Sequence, residues 1–175
     1  MSGSKPNSDA PQPRAGVISI RQLARWADRA RRAGVKIVAT NGCFDLIHFG
    51  HVQYLQRARA LGDVLVVGLN SDKSVRQLKG PTRPLMNERH RAGLLAALAC
   101  VDAVVVFPDK RAVAFLKAVK PDVYVKGGDY RVGTLDPDER AVLEQAGSRI
   151  RFIPFVKGCS TTALVEKIKR LPGSP

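Results

Sequence analysis

Two of the three histidines in this chain, His48 and His51, lie three residues apart around a glycine, inside the stretch Gly42-Cys43-Phe44-Asp45-Leu46-Ile47-His48-Phe49-Gly50-His51. Imidazoles at that spacing can both donate from the first turn of a helix. A helix start also offers unpaired backbone N–H groups and the positive end of a dipole, and Gly50 would let a phosphate approach the backbone closely. The chemistry that suits these residues is phosphate binding. Two other uses of the same side chains stay open. The histidines could cap and pack the first helical turn, or they could share a zinc ion, although no third ligand is suitably spaced and Cys43 is not placed as one.

Four further segments carry residue types that could act on a phosphorylated substrate. Lys79 stands beside Gly80 in Arg76-Gln77-Leu78-Lys79-Gly80-Pro81-Thr82-Arg83-Pro84, where Pro and Gly predict a loop over the site rather than a regular helix. A lysine there can swing toward transferring phosphates, or it can be a solvated loop charge. Arg91 opens a helical pattern with Leu94, Leu95 and Leu98 and faces either a ligand or solvent. Lys126-Gly127-Gly128-Asp129-Tyr130 combines two glycines that allow close backbone approach with three polar side chains, more than a plain turn requires. Ser160, Thr161 and Thr162 follow Gly158-Cys159 at the start of the last helical pattern, as a simple N-cap or as a second phosphate-binding helix start.

The elements that must position these residues are legible from hydrophobic pattern. Val- and Ile-rich runs at 36–41, 64–70, 103–107, 122–126 and 150–154 predict five strands. Their hydrophobicity is continuous rather than alternating, as in parallel strands covered on both faces. Between the strands lie helical patterns, such as Ala112, Phe115, Leu116 and Val119, and later Leu164, Val165, Ile168 and Leu171. Ser19 and Gln22 form a capping box for a first helix that Gly34 ends. The expected class is α/β, a Rossmann-like doubly wound parallel five-stranded sheet in a single domain over 17–175, after a disordered tail at 1–16 rich in Ser, Pro, Gly and Asn. Each candidate segment then sits just beyond the carboxyl end of a strand, where ligands bind in such sheets.

The chain has 175 residues and a formal net charge of +14. That charge invites a nucleic-acid reading. The basic residues are dispersed, however, with the densest group at Arg21, Arg25, Arg29, Arg31 and Arg32 in the first helix, and aromatic residues are not interleaved with them. A positive field also steers small polyanions, so no nucleic acid and no membrane partner are expected. Three cysteines without CxxC pairing, and no signal-peptide core, fit a reduced, cytoplasmic protein.

The decapeptide resembles the G-x-F-D-x-x-H-x-G-H signature of the cytidylyltransferase-like nucleotidyltransferases, which join a nucleoside triphosphate to a phosphorylated acceptor and release pyrophosphate. The R-L-K-G-x-x-R-P segment, Lys126-Gly127-Gly128-Asp129-Tyr130 and Gly158-Cys159-Ser160-Thr161-Thr162 are similar to those of the heptose 1-phosphate adenylyltransferase branch, which makes ADP-heptose for lipopolysaccharide precursors. The resemblance runs from about Lys36 to Ile168. It implies catalytic roles for His48, His51 and Lys79, with Arg83 a weaker candidate. It implies nucleotide contacts from Asn41, Gly42, Cys43, Phe44, Asp45, His48, Gly50, His51, Arg91, Lys126, Gly127, Gly128, Ser160, Thr161 and Thr162. Acceptor contacts fall to Asp45, Lys79, Lys126, Asp129 and Tyr130.

Departures from the pattern are informative. The glycerol-phosphate branch usually has an acidic residue and Trp where Gly128 and Tyr130 stand. Many relatives place an acidic residue two positions before the arginine at 91, where this chain has Arg89 with Glu88 one step earlier; some place Arg at Phe155, a contact that Lys157 would have to replace. The resemblance further implies ATP and a sugar 1-phosphate as substrates, Mg²⁺ carried by ATP with no metal ligands from the protein, and a homodimer. It implies a separate heptose-phosphate kinase upstream, because the ribokinase-type domain fused to some relatives is absent from this sequence. Other readings are a cytidylyltransferase acting on a glycerol- or ethanolamine-phosphate-like acceptor, an FAD synthetase, or a basic nucleic-acid-binding module.

Overall fold

In a computed structural model, residues 16–128, 135–154, 156 and 158–171 are described. The chain alternates helix and strand as α1 (Ile20–Arg32), β1 (Ile37–Gly42), α2 (Phe49–Arg59), β2 (Val64–Asn70), α3 (Asp72–Lys79), α4 (Glu88–Ala96), β3 (Ala103–Phe107), α5 (Val113–Val119), β4 (Val123–Gly127), α6 (Pro137–Gln145), β5 (Arg149–Ile153) and α7 (Thr161–Lys169). The five strands form one parallel sheet in the order β3-β2-β1-β4-β5. Strand order reverses between β1 and β4, and a crevice opens at their carboxyl ends.

The continuous apolar runs are explained by burial on both faces. Ile37, Ala39, Val64, Val66, Val105 and Tyr124 point to one core with Leu23, Trp26, Phe115, Leu116 and Leu143 from α1, α5 and α6. Val38, Leu65, Val67, Val104 and Val125 point to the other core, against Leu55, Ala58, Ala92 and Leu95 from α2 and α4. Strand β5 is the exception. It is an edge strand in which Arg149 and Arg151 are exposed while Ile150 and Phe152 pack inward.

At the amino ends of the strands, aspartates hold neighbouring segments in register. Asp63 accepts from Lys36 N at 2.7 Å, Asp122 from Ile37 N at 2.7 Å, and Asp102 from Leu65 N at 2.7 Å. Helix α1 begins with the expected capping box, Ser19 Oγ accepting from Gln22 N while Gln22 Oε1 accepts from Ser19 N, and Gly34 turns the chain out of it at φ 74°. Of the tail expected over 1–16, only Gly16 is described; its carbonyl accepts from Val104 N at 2.9 Å.

One sequence expectation needs correction. Arg76 to Lys79 were expected in a loop, yet they form the last turn of α3, which Ser71 caps through Ser74 N. The chain leaves the helix only at Gly80, with φ 98°, so the glycine acts as a stop signal and not as evidence against the helix before it.

Candidate functional site

The turn from β1 into α2 is built around a bulky residue in a left-handed conformation. Phe44 has φ 44° and is buried, and its ring folds back over Gly42, where a Cβ would meet it at 3.0 Å. Such a conformation costs about 1–2 kcal/mol outside glycine, so the surroundings must hold it. Two buried charges do so. Asp45 accepts from Arg83 Nη1 at 2.8 Å, Leu85 N at 2.7 Å and Met86 N at 3.1 Å. Arg91, fully buried, donates to Cys43 O at 2.5 Å, Met86 O at 2.9 Å and Asp72 Oδ1 at 2.7 Å.

Arg91 is therefore neither solvent-facing nor among the residues lining the cleft. It braces the turn from behind, with Asp72 as its acidic partner. Glu88 instead accepts from Asp72 N at 2.7 Å, so the acidic residue next to Arg89 reaches Arg91 only through Asp72.

His48 is the N-cap of α2, its Nδ1 accepting from His51 N at 3.4 Å. The two imidazoles stack at 3.8 Å, and Phe44 lies 5.2 Å from His51. Burial and the neighbouring His48 push His51 down to about 4, partly offset by the Leu46 backbone; burial also lowers His48. Both rings are thus neutral at pH 7 and present N–H donors without a full charge. His51 faces the cleft, and its Nδ1 is buried without a hydrogen-bond partner among the described residues.

Gly50 is needed for a reason other than phosphate approach. A Cβ there would lie 2.8 Å from Cys159 Cβ and 3.1 Å from the His48 ring. The glycine lets the start of α7 press against the start of α2. Thr161 Oγ1 reaches Leu46 O at 3.5 Å across the same contact, and Ser160 caps α7 through Ala163 N at 3.0 Å. Two helix N-termini are brought together at one mouth of the sheet.

Between them and the loops after β2, β3 and β4 lies a cleft of about 890 Å³. Of the residues singled out from sequence, Asn41, Gly42, Cys43, Phe44, Asp45, His51, Lys79, Arg83, Lys126, Gly127, Thr161 and Thr162 line it. His48, Gly50, Arg91, Gly128 and Ser160 are not part of this lining; Gly128 N donates to Ile153 O at 2.9 Å. Asp129, Tyr130, Phe155 and Lys157 lie outside the described residues. Burial raises the Cys43 thiol, leaving it protonated rather than nucleophilic.

Sequence reasoning missed Lys110 and Arg111 from the β3–α5 loop, Asp136, which caps α6, and Glu139 within α6, which also line the cleft. The position of Lys110-Arg111 just after a strand's carboxyl end was the available signal. Glu139 had none, since its role shows only in its contacts with Ala112, Tyr124 and Lys126.

The cytidylyltransferase-like family model matches residues 39–167, a span that takes in the β1–α2 turn, Lys79, Arg91, Lys126 and Ser160. The chain belongs to the cytidylyltransferase-like nucleotidyltransferases. Within that family it is 53% identical over 160 residues to the bifunctional protein HldE of Geobacter metallireducens, covering 91% of this chain and 32% of that one. It is 48% identical over 154 residues to the bifunctional protein HldE of Helicobacter pylori, covering 88% and 31%. The chain spans about a third of the length of these curated relatives. A solved lipopolysaccharide core biosynthesis protein from Thermoplasma volcanium superposes with a TM-score of 0.58 at 28% identity, over 72% of this chain and all of that one. A pantoate-beta-alanine ligase from Francisella tularensis shares the fold, with a TM-score of 0.56 at 15% identity over 91% of this chain and 79% of that one.

Proposed function

We propose that the chain transfers AMP from ATP to D-glycero-β-D-manno-heptose 1-phosphate, giving ADP-heptose and pyrophosphate. The observation that carries the reading is the meeting of two helix N-termini beside His51, on the same cleft as Lys79, which makes no ion pair among the described residues. The choice of acceptor rests on the resemblance of the loop segments and on the extensive identity to the HldE proteins.

In this mechanism a phosphate oxygen of the acceptor attacks the α-phosphorus of ATP. The new O–P bond forms as the bond to the β-phosphate oxygen breaks, and the electron pair leaves with pyrophosphate. The attacking oxygen is already anionic, so no general base and no covalent nucleophile are required. Catalysis falls to positioning and charge neutralisation. His51, oriented by the stacked His48, donates to the phosphates as charge builds, and the N–H groups at the start of α2 and α7 hold the triphosphate. Lys79, at the end of α3, adds a mobile cation.

Among the described residues no group of three or more His, Cys, Asp or Glu could hold a metal ion, and the Asp45 carboxylate is already occupied by Arg83 and two backbone N–H groups. The described residues offer no cage for a resident metal. Mg²⁺ in this reading arrives on the triphosphate and supplies charge neutralisation there. No helix among the described residues is long and apolar enough to cross a membrane. Both substrates are water-soluble, which suits a cytoplasmic enzyme. A sugar-phosphate kinase must supply the acceptor, and pairing of two copies is part of the proposal.

The test is pyrophosphate release by the purified protein with Mg²⁺, heptose 1-phosphate and ATP, CTP, GTP or UTP in separate reactions. Release with ATP alone is expected. Release with CTP alone would overturn the adenylyl assignment, and silence with all four would overturn the acceptor.

A further inference from the structure

Asn70 closes β2 at its carboxyl end and lines the cleft, yet it is only 3% exposed. Its amide is held in one orientation. Nδ2 donates to Ser74 Oγ at 3.1 Å and to Asp109 O at 3.3 Å. A carbonyl oxygen can only accept, and the Ser74 hydroxyl spends its single proton on Ser71 O at 3.1 Å, so it too must accept from Asn70. Both amide hydrogens are thereby used. Turning the amide over would set its oxygen against two acceptors.

The oxygen is left without a partner. Oδ1 accepts no hydrogen bond among the described residues. The side-chain polar atoms that are both unbonded and sealed from the surface are Trp26 Nε1 and His51 Nδ1, so Asn70 Oδ1, which is not one of them, opens on the cleft that its residue lines. Bracing the β3–α5 loop through Asp109 accounts for the nitrogen alone. It does not require a nearly buried acceptor fixed toward the cleft, and buried polar groups are normally paired. Such an acceptor selects its ligand by chemistry. Phosphate oxygens are themselves acceptors and gain nothing from an amide oxygen, whereas a hydroxyl can donate to it. A site that pairs a buried group with a substrate hydroxyl rejects the analogue lacking that hydroxyl.

We propose that Asn70 is a specificity-determining residue whose side-chain oxygen accepts a hydrogen bond from a sugar hydroxyl of a bound substrate. This rests on the adenylyltransferase reading above and deepens it, because the ribose of ATP and the heptose both offer such hydroxyls. Ser74, oriented by Ser71, is the positioning residue that keeps the amide from turning.

The experiment compares wild type, Asn70→Ala, Asn70→Asp and Ser74→Ala by steady-state kinetics and calorimetric titration, alongside thermal melting. The ligands are ATP, its 2′- and 3′-deoxy forms, heptose 1-phosphate and its deoxy analogues. Asn70→Ala removes the oxygen; Asn70→Asp keeps an oxygen at the same place, and Ser74→Ala keeps the amide itself. Expected for Asn70→Ala is a rise of about tenfold in KM and Kd for one substrate, with KM for the other unchanged. The deoxy form lacking the recognised hydroxyl should bind wild type about tenfold less well and should lose nothing further in Asn70→Ala. Cancellation by a deoxyheptose places that hydroxyl on the acceptor; cancellation by a deoxy-ATP places it on the ribose. Asn70→Asp and Ser74→Ala should still discriminate against the same deoxy form, and they decide the matter if Asn70→Ala does not fold. Equal losses on every analogue, loss of discrimination in folded Asn70→Asp, or cancellation only by an ATP analogue without the adenine amino group would overturn the proposal. A wild type that binds both substrates without releasing pyrophosphate would overturn the adenylyltransferase reading and leave the Asn70 comparison to be read from Kd. One that binds neither would overturn both.

Discussion

Around the turn into α2, two buried side chains satisfy six groups: Asp45 takes up Arg83, Leu85 N and Met86 N, and Arg91 takes up Cys43 O, Met86 O and Asp72. The start of α7, which meets the same mouth of the sheet, has a Ser160 cap, one 3.5 Å bond from Thr161 and the contact of Cys159 with Gly50, and α7 buries no residue. One wall is fixed by the fold; the other rests against it. A wall with few buried contacts opens at low cost, and ligand-binding edges are commonly drawn from such regions. The difference would suit the proposed transfer, in which the triphosphate is held rigidly and a nucleotide-sized product must still leave.

The comparison is broken most severely at Arg91. Arg91→Ala strands the Asp72 carboxylate and two carbonyls, and should cost about 4 kcal/mol of global stability in chemical denaturation; a loss below about 1 kcal/mol would mean the turn is not braced as described. His51→Ala should leave the melting curve near wild type while slowing turnover about a hundredfold, roughly 3 kcal/mol of transition-state stabilisation, and near-normal kinetics would remove it from the mechanism. Asp45→Asn, which weakens the hold on Arg83 but keeps the shape, should cost about 2 kcal/mol of stability, read by the same denaturation.

On the looser wall the effects should be smaller and local. Ser160→Ala removes an N-cap worth about 1 kcal/mol, and hydrogen exchange should speed up in α7 without changing protection in the sheet. The braced wall also responds to pH through His51. His51 titrates at about 4 in the folded chain against an ordinary 6.5, so as pH falls the unfolded chain takes up this proton first. Its contribution to stability is complete above pH 6.5 and is lost progressively toward pH 4. His51→Gln should flatten that slope in pH-dependent denaturation; an unchanged slope would place its origin elsewhere.

Much of the fold was legible because buried parallel strands announce themselves. The runs at 64–70 and 103–107 coincide with β2 and β3, and the other three are shifted by one residue. Such shifts arise because hydrogen bonding, not hydrophobicity, decides where a strand ends. The last turn of α3 was hidden because Gly80 and Pro81 were read backward into the residues before them. In the site, residues clustered along the chain were visible from their types, as with His48 and His51. Arg91 and Glu139 were obscured for a common reason: each acts through partners far away in sequence, 48 residues for Arg91 to Cys43 and 27 for Ala112 to Glu139. An arginine with complete internal satisfaction looks, in sequence, like one facing water.

Both margins of the sheet are guarded against strand addition. Along β5, an edge strand among the described residues, Arg149 and Arg151 set exposed positive charge. Along β3, Val17 bridges Val104, with Ile18 N donating to Val104 O at 2.9 Å and Val104 N to Gly16 O at 2.9 Å. Lone rows of backbone donors and acceptors invite intermolecular pairing, and like charges repel a second copy approaching edge-on. The short stretch at 16–18 therefore covers part of the β3 edge. Deleting it would leave the core helices and the cleft residues in the chain but uncover a Val-rich margin, and the protein should begin to self-associate through sheet extension.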